Sequence, residues 1–342
     1  MTARAQGAFG RHGGRLAAAA AAFPHAPTPW VDLSTGINPH GWRGPRAAPA
    51  ALRRLPDPAG TAALERAAAA AFGLAPADAK AAAAVPGAEA ALRLAPRLTG
   101  ARAVAIASPT YGGHAEAWTA AGAEVRAVHP DELDRVEAEA VVVVNPNNPD
   151  GRRLPPDLLL GLARRQAERG RSLIVDESFV ETAPELSVAA AAPRIPGLIV
   201  LRSFGKFFGL PGARLGFVVA APETIARVRA AFGDWPVCAD AIALGSRAYA
   251  DLAWAERERS RLAAQAERLD RSLRRAGFEI VGGTSLFRLT RSRDAARRFA
   301  ALAGAGVLVR PFDDRPDWLR FGPPGPPAAW RRLDAALSGF SA

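Results

Sequence analysis

Lys206 sits in the run Ser203-Phe204-Gly205-Lys206-Phe207-Phe208-Gly209-Leu210-Pro211-Gly212-Ala213-Arg214, and Lys206 and Lys80 are the only lysines in a chain with 44 basic residues. The rest are arginine, a bias that accompanies abundant alanine and reads as the composition of a GC-rich genome. A lysine retained against that bias is a candidate for chemistry that arginine cannot do. An ε-amine can lose its proton and form a Schiff base with an aldehyde, whereas a guanidinium stays charged. The asparagines are just as unevenly placed: all four fall in Ser34-Thr35-Gly36-Ile37-Asn38-Pro39 and in Asn145-Pro146-Asn147-Asn148-Pro149-Asp150-Gly151. Asn, Pro and Gly also build turns, and an isolated Asn-Pro reads that way, but four of four in two motifs points to chemistry.

The elements that must position these residues follow from an alternating pattern. Short apolar runs at 81–85, 103–107, 125–128, 140–144, 173–175, 198–201 and 215–219 are separated by helix-length segments such as 88–98, 113–121 and 156–169. This is the βα alternation of an α/β fold, a mainly parallel seven-stranded sheet flanked by helices. In such sheets ligands bind at the carboxyl ends of the strands. Each motif directly follows a strand: Pro86-Gly87-Ala88-Glu89, Ser108-Pro109-Thr110-Tyr111, Asn145 to Gly151, Asp176-Glu177-Ser178-Phe179, and Arg202 to Lys206. All five therefore converge on one edge.

Beyond Phe232 the pattern changes to one long helical stretch through Arg275, then short strands around 278–281, 286–289, 307–309 and 319–321 and a final helix after 322–327. That is a smaller α+β domain. The expected division is an N-terminal arm at 1–45 contributing to the small domain and the active site, a large domain at 46–232 and a small one at 233–342. A chain of 342 residues, 49% apolar and 23% charged, supports two sizeable cores and excludes disorder. The single cysteine, Cys238, forms no internal disulfide, fits a reducing cytoplasm and is expected as a buried small hydrophobe. His12, His25, His40, His114 and His129 show no metal-ligand spacing, so no metal is expected. A net charge of +11 raises the question of nucleic acid, but the arginines are scattered rather than gathered in one tract. Solvated surface explains them, and a general positive field helps capture a small polyanion. The alanine run at 17–22 reads as a short helix stopped near Pro24 rather than a signal peptide. No stretch approaches the roughly 20 apolar residues of a membrane span.

Taken together, the motifs resemble the fold-type-I pyridoxal-phosphate enzymes, the aminotransferase superfamily, over nearly the whole chain. The resemblance implies a pyridoxal 5′-phosphate cofactor carried by Lys206. It places the cofactor phosphate on Ser203, Arg214 and the backbone of Gly87, Ala88 and Glu89 at a helix N-terminus. It puts Asp176 beneath the pyridine nitrogen, Tyr111 on the ring face and Asn148 at the ring's 3-oxygen. Two positions depart from the pattern. Phe179 stands where the family often has tyrosine, which removes one bond to the ring oxygen, and Leu55 replaces a tyrosine that in relatives reaches the neighbouring subunit's cofactor phosphate.

The ends of the chain narrow the resemblance. Arg11-His12-Gly13-Gly14, Asp32 to Pro39, Leu308-Val309-Arg310-Pro311-Phe312 and Trp318-Leu319-Arg320-Phe321-Gly322 are similar to the L-threonine-O-3-phosphate decarboxylases of cobalamin biosynthesis. That implies a substrate-binding set of His12, Gly36, Ile37, Asn38, Asn148, Arg310 and Arg320. Arg320 would grip the carboxylate, with His12, Asn38 and Arg310 as candidates for the phosphate. It also implies a homodimer. Which reaction occurs depends on which bond at Cα stands perpendicular to the pyridine plane, and no residue in the sequence identifies that geometry. A histidinol-phosphate or related class I/II aminotransferase, and a catalytically silent regulator built on the same fold, remain the other readings.

Overall fold

The computed structural model describes residues 9–340. In chain order the strands are β1 (Val31–Asp32), β2 (Ala82–Val85), β3 (Ala103–Ala107), β4 (Glu124–Val128), β5 (Ala140–Val144), β6 (Ser172–Asp176), β7 (Leu198–Ser203), β8 (Gly216–Val219), β9 (Glu279–Thr284), β10 (Phe287–Arg291), β11 (Val307–Leu308), β12 (Arg310–Pro311) and β13 (Trp318–Phe321). The chain divides into a larger unit, Gly41–Asn148 with Arg152–Glu256, and a smaller one made of the residues up to His40, Pro149–Gly151 and those from Arg257 onward.

The larger unit carries a seven-stranded sheet in the order β2-β8-β7-β6-β5-β3-β4. β8 runs antiparallel to both of its neighbours and the remaining pairs are parallel. The central strands are near-continuous Val, Ile and Leu, as strands covered by helices on both faces must be. The helix Ala88–Thr99 is punctuated by glycine at each end, Gly87 at φ 91° and Gly100 at φ 68°. It buries Leu92, Ala95 and Leu98 in one core with Val104, Ile106 and Trp118. On the outer side of edge strand β2, Ala84 N–H donates to Glu65 Oε1 at 2.9 Å and Arg229 Nη2 donates to Ala82 O at 3.3 Å. Arg229 also makes two bonds to the Glu65 carboxylate at 2.9 Å each.

The expected single helix after Phe232 is two helices, Ala239–Ala250 and Leu252–Arg275, preceded by a loop. Asp251 makes the break: its Oδ1 accepts from Trp254 N at 3.0 Å and so caps the second helix, while its Oδ2 accepts from Trp42 Nε1 at 3.0 Å. The first of these helices clusters with the larger unit. Its Tyr249 lies edge-on to Phe72, Phe208 and Phe217, with Phe204 tilted against it. Cys238 is exposed rather than buried, because it is the residue before that helix, at the end of the loop.

The smaller unit holds an antiparallel sheet, β12-β13-β10-β9, and the parallel pair β1-β11. Its core gathers Leu269, Leu273, Phe278, Phe299, Leu319, Phe321, Trp330 and Leu333. The helix Leu16–Ala22 forms where the alanine run predicts one, and Pro327–Ser338 is the last described helix. Among the described residues, no helix is long and apolar enough to cross a membrane.

Candidate active site

At the carboxyl edge of the larger unit's sheet, Gly216 pairs with Val85 on one side and Ser203 on the other. That register brings the turn at Gly87, the end of β7 and the approach to β8 together. Arg214, in the left-handed region at φ 51°, sits on that approach. A Cβ on Gly216 would lie 2.4 Å from Ala88 N, so that close approach requires glycine, while Gly87 is favoured by its φ of 91° and has Arg214 Nη2 lying 2.8 Å from where its Cβ would be. Gly87 gives the following helix no side-chain cap. The first-turn N–H groups of Ala88 and Glu89 therefore have no acceptor within the helix and, with the helix dipole and Arg214, form an anion cup. The Glu89 side chain is engaged elsewhere, paired with Arg93 at 2.8 Å and accepting from the Tyr111 hydroxyl at 3.3 Å.

Asp176 ends β6 and is 5% exposed. Its Oδ2 accepts from His114 Nε2 at 3.0 Å, and its Oδ1 accepts from Ser178 N and Oγ at 2.9 and 2.5 Å. Burial alone would raise this carboxyl, but His114 and Ser178 more than offset it and hold the group below the ordinary aspartate value. His114 Nδ1 is enclosed without a partner, so the ring proton belongs on Nε2, facing the carboxylate. Sequence reasoning missed His114. Its signal was the spacing Tyr111-Gly112-Gly113-His114, which sets the two rings edge-on with centroids 6.3 Å apart.

Asn148 is buried after β5, and Lys206 Nζ lies 5.8 Å from the centroid of the Phe179 ring. Glu177 and Arg202, the chain neighbours of Asp176 and Ser203, form a buried cluster in which Arg202 binds Glu177 at 2.9 Å and Glu181 at 2.8 Å. Burial raises the Glu177 carboxyl despite Arg202. For Arg202, burial acts downward, but Glu181 and Glu177 reverse it and the guanidinium ends above its usual value. Leu55 is exposed.

The smaller unit places Arg310 and Arg320 directly opposite one another in the β12-β13 pair, both buried. Arg320 donates to Ser34 O at 2.9 Å and Arg310 to Arg11 O at 3.0 Å. Burial pulls the Arg320 guanidinium well below its usual value, the neighbouring Arg310 adds to that, and Asp32 opposes it. Two like charges held together this way suit a dianionic partner. The run Arg11 to Gly14 is fixed beside them: Gly14 N donates to Ser34 Oγ at 2.7 Å, and a Cβ on Gly13 would lie 2.2 Å from Ser34 O. His12 is therefore carried next to the carbonyl that Arg310 holds. Gly36 is buried and Ile37 half-buried. Asn38 is tied into the framework, with Nδ2 donating to Glu258 Oε1 at 3.0 Å and Oδ1 accepting from His40 N at 2.8 Å.

Comparison with known proteins decides the family. The model of aminotransferase class I and II matches residues 28–334. The chain belongs to the class I and II aminotransferases. Within this family it is 40% identical to a threonine-phosphate decarboxylase of Pseudomonas aeruginosa over 96% of this chain and 97% of that one. It is 41% identical, with the same coverage of both chains, to a threonine-phosphate decarboxylase of a Sinorhizobium species. A solved L-threonine-O-3-phosphate decarboxylase from Porphyromonas gingivalis superposes with a TM-score of 0.76 at 21% identity, covering 90% of this chain and 98% of that one. The cofactor is the family's pyridoxal 5′-phosphate, and the aminotransferase edge described above fits it. An anion cup that glycine leaves open stands on the same strand edge as a carboxylate held ionised and a single lysine.

Proposed function

We propose that this chain decarboxylates L-threonine O-3-phosphate to (R)-1-aminopropan-2-yl phosphate in cobalamin biosynthesis, as a cytoplasmic homodimer. The extent of similarity carries the reading. The two threonine-phosphate decarboxylases align over 96% of the chain, whereas a histidinol-phosphate aminotransferase of Bradyrhizobium diazoefficiens aligns over 52%. The paired guanidiniums of Arg310 and Arg320 support a substrate with both a carboxylate and a phosphate.

In this reading Gly87, Ala88, Glu89, Ser203 and Arg214 hold the cofactor phosphate and Lys206 supplies the amine for covalent attachment. Asp176, whose ionised form His114 and Ser178 favour, would hold a proton on the pyridine nitrogen. Tyr111 would cover the ring face and Asn148 would bond the ring oxygen, a role it would fill without the hydroxyl that Phe179 lacks. When bound, pyridoxal phosphate supplies an electron sink for the pair released as the Cα–carboxylate bond breaks. Arg320 grips the carboxylate, and Arg310 with His12 grips the phosphate, so binding energy far from Cα fixes which bond is aligned for cleavage. Lys206 in its ammonium form, or water, would then deliver the proton that Cα takes up.

Incubating the purified protein with threonine phosphate tests the reading. Carbon dioxide should be released without any 2-oxoglutarate. A turnover that requires 2-oxoglutarate, with histidinol phosphate as the better donor, would move the chain to the aminotransferases. Light scattering at micromolar concentration should report a dimer, and an active monomer of about 36 kDa would contradict the assembly.

A further inference from the structure

Asn147 stands one residue before Asn148, and Thr110 stands one residue before Tyr111. The Thr110 hydroxyl donates to Asn147 Oδ1 at 2.6 Å, and Asn147 Nδ2 donates to Pro109 O at 2.8 Å. Asn147 is fully buried. One amide therefore links the loop after β3 to the loop after β5, two neighbouring strands whose ladder has ended by that point. Its own loop is held firmly: the Asn145 amide exchanges two bonds with the backbone of Leu154, at 2.9 and 3.0 Å, and Asn147 N donates to Arg152 O at 2.8 Å. On the other side the Tyr111 ring lies where a Cβ on Gly113 would come within 2.5 Å of it.

We propose that Asn147 and Thr110 form a positioning pin that sets the separation of the Tyr111 ring from the Asn148 amide and so pre-organises the larger unit for the cofactor ring. The proposal rests on reading this strand edge as the pyridoxal-phosphate site. Neither residue touches the ring in this account. Each fixes the neighbour that does, which lowers the ordering cost of binding. A buried amide using both ends is also costly to disturb, because the partner left behind stays desolvated.

The test compares wild-type, Thr110→Val, Thr110→Ser and Asn147→Asp proteins. Valine matches threonine in shape and lacks the hydroxyl, serine keeps it, and aspartate keeps the acceptor while losing the bond to Pro109. The measurements are the dissociation constant of pyridoxal phosphate from the reconstituted apoprotein, visible circular dichroism per bound cofactor, and the apoprotein's thermal midpoint. Thr110→Val should raise the dissociation constant about ten-fold and weaken the dichroism per bound cofactor, with the thermal midpoint lowered only by the modest cost of one unpaired buried acceptor. Thr110→Ser should restore both, and Asn147→Asp, whose second oxygen faces the Pro109 carbonyl where the amide donated, should lose at least as much as Thr110→Val. If Thr110→Val does not fold, the comparison of Thr110→Ser with Asn147→Asp decides, and equal values overturn the pin. So do variants that all match wild type, or losses that follow apoprotein stability. A wild-type protein that binds no pyridoxal phosphate defeats the cofactor reading and the pin together, whereas normal wild-type binding with unaltered variants defeats the pin alone.

Discussion

An arginine at position 206 would keep the positive charge and lose the nucleophile. Borohydride reduction of the wild-type protein with pyridoxal phosphate, followed by peptide mapping, should place the pyridoxyl mass on the peptide containing Lys206. Lys206→Arg should carry none and should not turn over. His114→Phe should leave Asp176 buried with only Ser178 to bond it, costing a bond to a charged group worth about 1.5–3 kcal/mol, or roughly a 10- to 160-fold loss in kcat/KM. The same variant has a pH signature. Asp176 lies below the usual aspartate value, so the stability tied to its ionised form is fully present above about pH 4 and is lost as pH falls through the folded value. Without His114 the folded value rises towards or past the unfolded one, so less stability is lost on acidification and thermal midpoints recorded below about pH 4 should fall less steeply than in the wild type. Lys206 was visible in the sequence as a candidate because composition isolates it together with Lys80 and its motif follows a strand. His114 was not, because its significance comes from a partner 62 residues away.

At the level of elements, the cluster behind the strand ends predicts a large stability effect. Arg202→Ala should leave Glu177 and Glu181 buried without their cation, destabilising the fold by about 3–5 kcal/mol in denaturant titration. A loss under about 1 kcal/mol would mean that the carboxyls simply protonate. Most strands of the sheet were readable because they are short apolar runs, as in Ala82–Val85, Ala103–Ala107 and Ala140–Val144, and the motifs fell on one edge because βα units all run the same way. What could not be read depends on contacts distant in sequence. The break at Asp251 depends on Trp42 as well as on the local cap. The side-by-side placement of Arg310 and Arg320 depends on strand register, which neither motif contains. Cys238 was read from residue type alone, and a cysteine just before a helix follows the loop rather than the average.

For the molecule as a whole, the two arginines should sort substrates. If Arg310 reads phosphate and Arg320 carboxylate, Arg310→Ala should lower kcat/KM for threonine phosphate far more than for threonine, by about 1.5–3 kcal/mol of lost charge-assisted bonding. Arg320→Ala should penalise both. Equal losses on both substrates with Arg310→Ala would remove Arg310 from phosphate recognition. A different consequence attaches to the outer side of β2, where Ala84 N–H and Ala82 C=O are already taken by Glu65 and Arg229. A bare sheet edge is a template on which a second molecule can lay a strand. Any such strand arriving at β2 would first have to break a two-bonded ion pair and leave a carboxylate stranded before gaining its first ladder bond. Glu65 and Arg229 thus act as gatekeepers on that side of the seven-stranded sheet, holding the backbone groups through which it could be extended from one molecule to the next.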